Sequence, residues 1–207
     1  MSLNADKHDR PMILNAHTTE RQLLMHRTVY YLPGWGGRLA TGLGAAIAQR
    51  GFDIAGRETR GEFKDAGFTA QVNMVAADLQ QHFWCPNAIV IANSFGGYLF
   101  LHAQSQLPAF PGRVVLLSPI VGAFDDEDKD MHFIPPYPDR LMQRIEAKQM
   151  AAPMKAEIHT GELDWQSSPK GVQRLGEALG IPVHVVTGAG HNLPKEYVGK
   201  ILDRWLA

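Results

Sequence analysis

Short, wholly apolar runs, several rich in β-branched residues, alternate along this chain with segments of helical periodicity. Such runs are typical of parallel strands that helices cover on both faces. The strands predicted from these runs are Thr28–Leu32, a weaker one at Phe52–Gly56, Ala88–Ala92, Arg113–Leu117, Ala156–Thr160 and Pro182–Thr187. The pattern therefore predicts an α/β fold with a doubly wound, mostly parallel sheet of about six strands.

The helices expected between these strands follow from apolar periodicity and from Gly or Pro at their ends. They are predicted at Arg38–Arg50, Ala70–Trp84, Phe95–Gln106, Pro169–Leu179 and Glu196–Leu206. The chain has 207 residues, the length of one medium domain. We therefore expect a single domain over residues 1–207.

Two segments interrupt the alternation. Residues 1–26 are predicted to be irregular, with a short strand considered at Met12–Asn15 and a helix near Thr19–His26. Residues 119–150 separate two predicted strands and contain a predicted helix at Arg140–Met150. Connections of this length usually serve as lids or binding loops, so we expect a lid insertion here.

Composition excludes several classes of function. The net charge of −1 gives no long-range attraction to nucleic acid or to an anionic membrane. The amino terminus is polar, and no apolar run is long enough to span a bilayer. The single cysteine, Cys85, offers no thiolate pair, and the acidic run Asp125–Asp130 lacks the glycine and spacing of a calcium loop. We expect a cytoplasmic protein without metal, cofactor, nucleic-acid partner or membrane partner.

The most informative motif follows the strand Ala88–Ala92. The sequence from Ala92 to Gly96 reads small-x-Ser-x-Gly and leads directly into a predicted helix. A serine on such a sharp strand-to-helix turn is held away from the sheet with its hydroxyl exposed, and small neighbours allow strand and helix to approach. The helix N–H groups then point to where an oxyanion would form. Ser94 is thus a candidate nucleophile, although it would also suit an ordinary helix N-cap.

This motif resembles the nucleophile turn of the α/β-hydrolase family, with Ala92 where glycine is more common. The resemblance implies a chain order of nucleophile, acid and histidine. A glycine-rich loop after the last predicted strand carries His191, which can reach over the sheet edge to Ser94. His184 lies within that strand and is interpreted as a packed core histidine. His102 lies two helical turns beyond Ser94, about 12 Å along the axis, so it is a poor base.

For the acid, the resemblance points to Asp164, which follows the predicted strand Ala156–Thr160. A buried carboxylate there would hold the imidazole in one tautomer and stabilise its charged form. The sequence leaves other interpretations open. Glu162 is a second candidate, and Asp125 or Asp126 a third, since some family members take the acid from the preceding loop. Asp164 would also suit the cap of a turn.

The oxyanion hole needs two backbone donors. One is expected to be the N–H of Phe95, directly after the nucleophile. The other is expected in the loop after the first clear strand, where Trp35 is favoured over Gly36 and Pro33-Gly34 stands in place of the family's His-Gly. The glycines of this loop do not make it a phosphate loop, because the Gly-Lys-Ser/Thr ending is missing.

The substrate is less well defined by the sequence. The residues expected to line an apolar pocket are Trp35, Phe124, Phe133, Ile134 and Tyr137, although the lid residues would equally serve to hold the lid on the core. A serine at position 94 excludes an epoxide hydrolase or haloalkane dehalogenase, which need a carboxylate there. The expected function is hydrolysis of a small carboxylic ester. Alternatives are an amide, thioester or carbon–carbon bond, a lyase step, or non-catalytic ligand binding, since the fold alone does not separate them.

Overall fold

In the computed structural model, which describes residues 27–126, 131–133 and 135–207, six parallel strands form one open sheet. Eight strands occur in these ranges, in chain order β1 (Thr28–Leu32), β2 (Asp53–Gly56), β3 (Ile89–Asn93), β4 (Arg113–Leu117), β5 (Phe124–Asp126), β6 (Met131–Phe133), β7 (Lys155–Gly161) and β8 (Val183–Val186). The sheet order is β2-β1-β3-β4-β7-β8, and β5 and β6 form a separate antiparallel pair. The predicted α/β class, strand number and parallel arrangement are confirmed.

The helices lie on both faces of this sheet. They are α1 (Leu43–Ala48), α2 (Gly61–Asp65), α3 (Phe68–Asp78), α4 (Phe95–Gln104), α5 (Arg140–Glu146), α6 (Pro169–Leu179) and α7 (Lys195–Trp205). A π-helical turn at Leu79–Phe83 continues α3. Alternate residues of the central strands pack against α3, α4 and α6 on one face, and against α1 and α7 on the other. This double coverage explains why the strands are apolar throughout rather than alternating.

Some helices differ from their predicted bounds because of local backbone conformation. α1 begins five residues later than predicted, directly after Gly42, whose φ of 57° is not helical. α5 is three turns long in the prediction but ends at Glu146, and Lys148 beyond it adopts a φ of 54°. The five-residue helix α2 was not predicted, because one turn is too short to show helical periodicity. The β5–β6 pair within the insertion was also not predicted.

The parallel arrangement decides where a functional site can form. All strands of the main sheet point the same way, so the loops that follow β1, β3, β7 and β8 meet at one edge. These loops carry Trp35, Ser94, Asp164 and His191. The expected elements at Met12–Asn15 and Thr19–His26 lie outside the described residues. No helix within the described ranges is both long enough and apolar enough to cross a bilayer.

Candidate active site

Ser94 occupies a strained turn between β3 and α4, with φ 52° and ψ −121°. A non-glycine residue in such a conformation costs about 1–3 kcal/mol and persists only where its surroundings hold it. Here the Ser94 N–H donates to Leu117 O at 3.0 Å, and its carbonyl accepts the N–H of Ile120 at 3.1 Å. Ser94 stands at the N-cap position, yet its side chain makes no capping hydrogen bond. The alternative of an ordinary N-cap is therefore wrong.

Small residues allow this turn to form. A Cβ added at Gly96 would lie 2.1 Å from Leu32 O, far inside van der Waals contact. A Cβ at Gly34, in the loop after β1, would lie 3.1 Å from the Cβ of Ser94. α4 and the β1 loop therefore approach the serine closely only because both positions lack side chains.

His191 reaches Ser94 from the loop after β8. Its Nε2 lies 2.8 Å from Ser94 Oγ, and its Nδ1 lies 3.0 Å and 3.1 Å from the two carboxylate oxygens of Asp164. These distances match those of a nucleophile, a base and a group that orients the base. The Asp164 side chain is fully buried, whereas that of His191 remains 15% exposed. With Nδ1–H donating to Asp164, Nε2 is left to accept the serine proton.

The Asp164 carboxylate is held by more than the imidazole. Its Oδ1 accepts the backbone N–H groups of Gln166 at 3.0 Å and Ser167 at 2.9 Å. Burial by itself raises the pKa of Asp164, but the hydrogen bonds from His191 and Ser167 outweigh it, so the pKa lies below its usual value. Asp164 thus caps the turn, as one interpretation expected, and also contacts His191 as a charged carboxylate.

The other candidate acids are placed differently. Glu162 is exposed, and its Oε2 accepts the N–H of Gly188 at 2.8 Å, so it bonds the backbone of the histidine loop. The side chains of Asp125 and Asp126 lie outside the described residues.

The two other histidines considered in the sequence differ in their surroundings. The interpretation of His184 as a core histidine is wrong, because β8 is an edge strand and the side chain is 46% exposed. His102 is buried within α4, where burial and the charges of Arg140 and Arg144 lower its pKa to about 4.

A threonine that the sequence did not single out organises the loop after β1. The Thr59 carbonyl accepts the N–H of Gly36 at 3.1 Å, and its hydroxyl oxygen accepts the N–H of Gly37 at 3.0 Å. The Thr59 hydroxyl in turn donates to Gly34 O. The Gly36 N–H, the alternative second donor considered in the sequence, is thus already hydrogen-bonded to Thr59. No signal in the sequence marked Thr59, since it follows an edge strand and belongs to no motif.

The fold of this chain also occurs in known structures. No protein-family model and no curated protein matches the sequence. Among solved structures, mouse α/β-hydrolase domain-containing protein 10 matches with a TM-score of 0.62 at 11% identity, covering 86% of this chain and 87% of that one. The chain has the α/β-hydrolase fold.

Two further structures with this fold are a monoacylglycerol lipase of Paleococcus ferrophilus and a carboxylesterase of the thaumarchaeon Nitrososphaera gargenis. The lipase has 16% identity and a TM-score of 0.56, over 86% of this chain and 93% of that one. The carboxylesterase has 11% identity and a TM-score of 0.59, over 86% and 89%. At these identities the similarity establishes a shared fold alone.

An aromatic surface adjoins the serine in this α/β-hydrolase fold. Trp35 is 56% exposed and packs edge-on against the Phe95 ring, with centroids 4.9 Å apart. Phe68, at the start of α3, links Phe95 to Tyr137, with centroid distances of 6.3 Å and 6.1 Å. Lys64 places its ammonium 5.2 Å from the centre of the Trp35 ring. Phe68 and Lys64 were missed in the sequence because α2 and the start of α3 were not predicted.

A hydrogen bond from α4 and a ring contact hold the insertion, residues 119–150, beside this surface. The Tyr98 hydroxyl, on α4, lies 2.8 Å from Pro136 O and 3.1 Å from Tyr137 O. Phe124 packs against Trp165, one residue after Asp164, with ring centroids 5.3 Å apart. The Phe133 side chain and Ile134 lie outside the described residues. Hydrogen bonds to α4 therefore hold the insertion on the core, as one interpretation expected, while the Tyr137 ring is half exposed.

Proposed function

We propose that this chain is a serine hydrolase that cleaves a small, partly apolar carboxylic ester through an acyl-enzyme on Ser94. The observation that carries the proposal is the continuous hydrogen-bonded series from Ser94 Oγ through His191 to the buried Asp164, at 2.8 Å and 3.0 Å. The strained backbone of Ser94 supports it, since such strain is found where function requires it. The esterase and lipase among the structures that share the fold support an ester as substrate.

In the proposed reaction, Ser94 Oγ attacks the ester carbonyl while His191 Nε2 accepts its proton. The carbonyl oxygen becomes an oxyanion, which accepts hydrogen bonds from the N–H groups of Phe95 and Trp35. As this intermediate collapses, the alcohol leaves with the proton from His191. Water, deprotonated by His191, then attacks the acyl-enzyme, and the acid leaves as Ser94 regains its proton. The base contributes about 10²–10⁴-fold and each oxyanion donor about 10²–10³-fold.

Asp164 supports this cycle by electrostatics rather than by proton transfer. Its charged carboxylate accepts the Nδ1–H of His191, which fixes the tautomer that leaves Nε2 free to act as base. The same charge stabilises the imidazolium that exists between proton transfers. Because the Asp164 side chain is fully buried, water screens this interaction little.

The exposed ring of Trp35 supports a substrate with an apolar part. It flanks the serine through its contact with Phe95 and is available to pack against an acyl or alcohol group. Tyr137 extends this surface on the insertion side. We therefore propose a small-molecule ester bound partly by aromatic contacts, with no cofactor in the reaction.

The test uses a fluorophosphonate probe and p-nitrophenyl acetate on the purified chain, beside Ser94→Ala. A matched control is Ser168→Ala, which removes the hydroxyl of an exposed serine that caps α6. We expect labelling and turnover in the wild type and in Ser168→Ala, and neither in Ser94→Ala. Labelling that persists in Ser94→Ala, or a wild type without labelling or turnover above background, contradicts the proposal.

A further inference from the structure

A second group of polar side chains lies on the last two strands of the sheet, away from Ser94. Glu157 and His159 are two residues apart on β7 and therefore point to the same face. His184 on β8 stands directly opposite His159 in the parallel register. The ring centroids of His159 and His184 are 4.7 Å apart, with 14° between their planes.

The spacing of these side chains suits a cation. The ligand atoms of Glu157, His159 and His184 all lie within 4.8 Å of one another. We propose that these three residues bind one divalent cation of the Zn²⁺ type. Two imidazoles and one carboxylate form a donor set used for zinc when a fourth position is left to water.

The third residue, His184, is not hydrogen-bonded to Glu157. Its Nε2 lies 3.9 Å from Oε2 of Glu157, too far for a hydrogen bond. Zinc binds nitrogen and oxygen at about 2.0–2.2 Å, so the ligand atoms of a tetrahedral site lie about 3.3 Å apart, about 0.6 Å less than the separation here. The space between Nε2 of His184 and Oε2 of Glu157 is therefore too wide for a hydrogen bond but suits a bound cation. The half-exposed His184 also gives the ion a route from solvent.

The surrounding residues orient the other two ligands. The Tyr197 hydroxyl lies 2.8 Å from Nδ1 of His159, which directs Nε2 of that ring toward Glu157 at 2.8 Å. A cation bound to Nε2 of His159 would take the place of a proton on that nitrogen, since histidine binds metals in its neutral form. Trp205 and Arg204 donate to Oε1 of Glu157, which leaves Oε2 facing His184. Arg204 is 58% exposed, so its charge can turn toward water when an ion binds.

An ion at this position would clamp the edge strand to its neighbour. β7 leads into the loop that carries Asp164, and β8 leads into the loop that carries His191. A cross-link between the two strands would therefore hold the two loops at a fixed separation. We expect higher thermal stability with the ion bound, whether or not the ester substrate proposed above is correct.

The experiment titrates ZnCl₂ into the full chain, after chelator treatment and dialysis, by isothermal calorimetry, with melting curves in parallel. We expect one equivalent of Zn²⁺ to bind and to raise the melting temperature. His184→Asn should weaken binding by a factor of about 10 or more, and Tyr197→Phe by about 10–100-fold. His82→Asn, at an exposed histidine on another element, and His191→Asn should both retain the wild-type affinity.

The two control variants, His82→Asn and His191→Asn, distinguish the proposed site from other places where Zn²⁺ could bind. Binding that is unchanged in His184→Asn overturns the proposal, as does the absence of saturable binding to the wild type. Binding that persists in His184→Asn and disappears in His191→Asn would place the ion at Ser94 and Asp164 instead, and would also overturn it.

Discussion

Replacing Asp164 by Asn tests whether its carboxylate determines the tautomer of His191. The carboxylate accepts the N–H groups of Gln166 and Ser167 on Oδ1 and the Nδ1–H of His191. An asparagine oxygen can keep the two backbone bonds, which places the NH₂ group toward the imidazole. Nδ1 must then accept a hydrogen bond rather than donate one, so the ring proton lies on Nε2. In that tautomer His191 cannot accept the proton of Ser94.

The expected loss in kcat is about 10⁴-fold, the scale known for the equivalent change in serine proteases. This corresponds to about 5.5 kcal/mol of transition-state stabilisation. The assay measures kcat and KM with p-nitrophenyl acetate, and the rate of fluorophosphonate labelling. We expect kcat and the labelling rate to fall together while KM changes little, because the change alters proton transfer and not the aromatic surface.

Glu162→Gln is the matched control, since it neutralises a carboxylate two residues away that bonds Gly188 rather than His191. We expect its kcat to stay within a few-fold of the wild type. Asp164→Asn with more than a tenth of wild-type kcat would refute the reasoning. So would a loss in Glu162→Gln as large as that in Asp164→Asn.

Three further outcomes follow from the same structure. Because the folded-state pKa of Asp164 lies below its ordinary value of 3.8, its charge stabilises the fold above that value, and the stabilisation is lost as pH falls through the folded pKa. Acid-unfolding curves of Asp164→Asn should therefore be flatter than those of the wild type. Gly96→Ala should destabilise the chain by about 3 kcal/mol or more in denaturant unfolding, because its Cβ meets Leu32 O. Gly199→Ala, within α7, would place its Cβ 3.6 Å from the Arg50 guanidinium, an ordinary contact, and should instead stabilise the chain by up to about 1 kcal/mol. Trp35→Ala should lower kcat/KM for aromatic esters about tenfold or more while Trp35→Phe retains most of it, because the ring and not the backbone changes.

A specific result would contradict each of these three predictions. An acid-unfolding curve of Asp164→Asn that follows the wild type would show that the carboxylate gains nothing from its hydrogen bonds. Equal stability of Gly96→Ala and Gly199→Ala would contradict the close approach of α4 to β1. A wild-type kcat/KM for every ester in Trp35→Ala would remove the Trp35 side chain from the binding surface.

The sequence predicted best what depends on neighbouring residues. β1 and β4 coincide with their predicted bounds, and so does α6, which Pro169 begins and Gly180 ends. The strands were recognisable because both faces are buried, which requires continuous apolar runs. Short elements were missed: α2 spans five residues and β5 three, too few to show a period.

The turn at Ser94 could be predicted because its requirements are local: a buried strand, small residues on either side of the serine, and a helix directly after it. The contact between Ser94 and His191 joins residues 97 apart in the chain, and only the sheet order decides that their loops meet. Likewise, the partner that Thr59 provides for Gly36 depends on how two loops pack.

The same distinction applies to the group at Glu157, His159 and His184. Each residue by itself reads as an ordinary strand position, and the sequence alone gave no reason to expect a metal ion. The position of β8 at the sheet edge leaves His184 half exposed, and its register with β7 sets it opposite His159. Register and edge position arise from long-range strand pairing. The chain by itself therefore determined the elements and the serine turn, whereas tertiary structure decided which side chains stand within reach of one another.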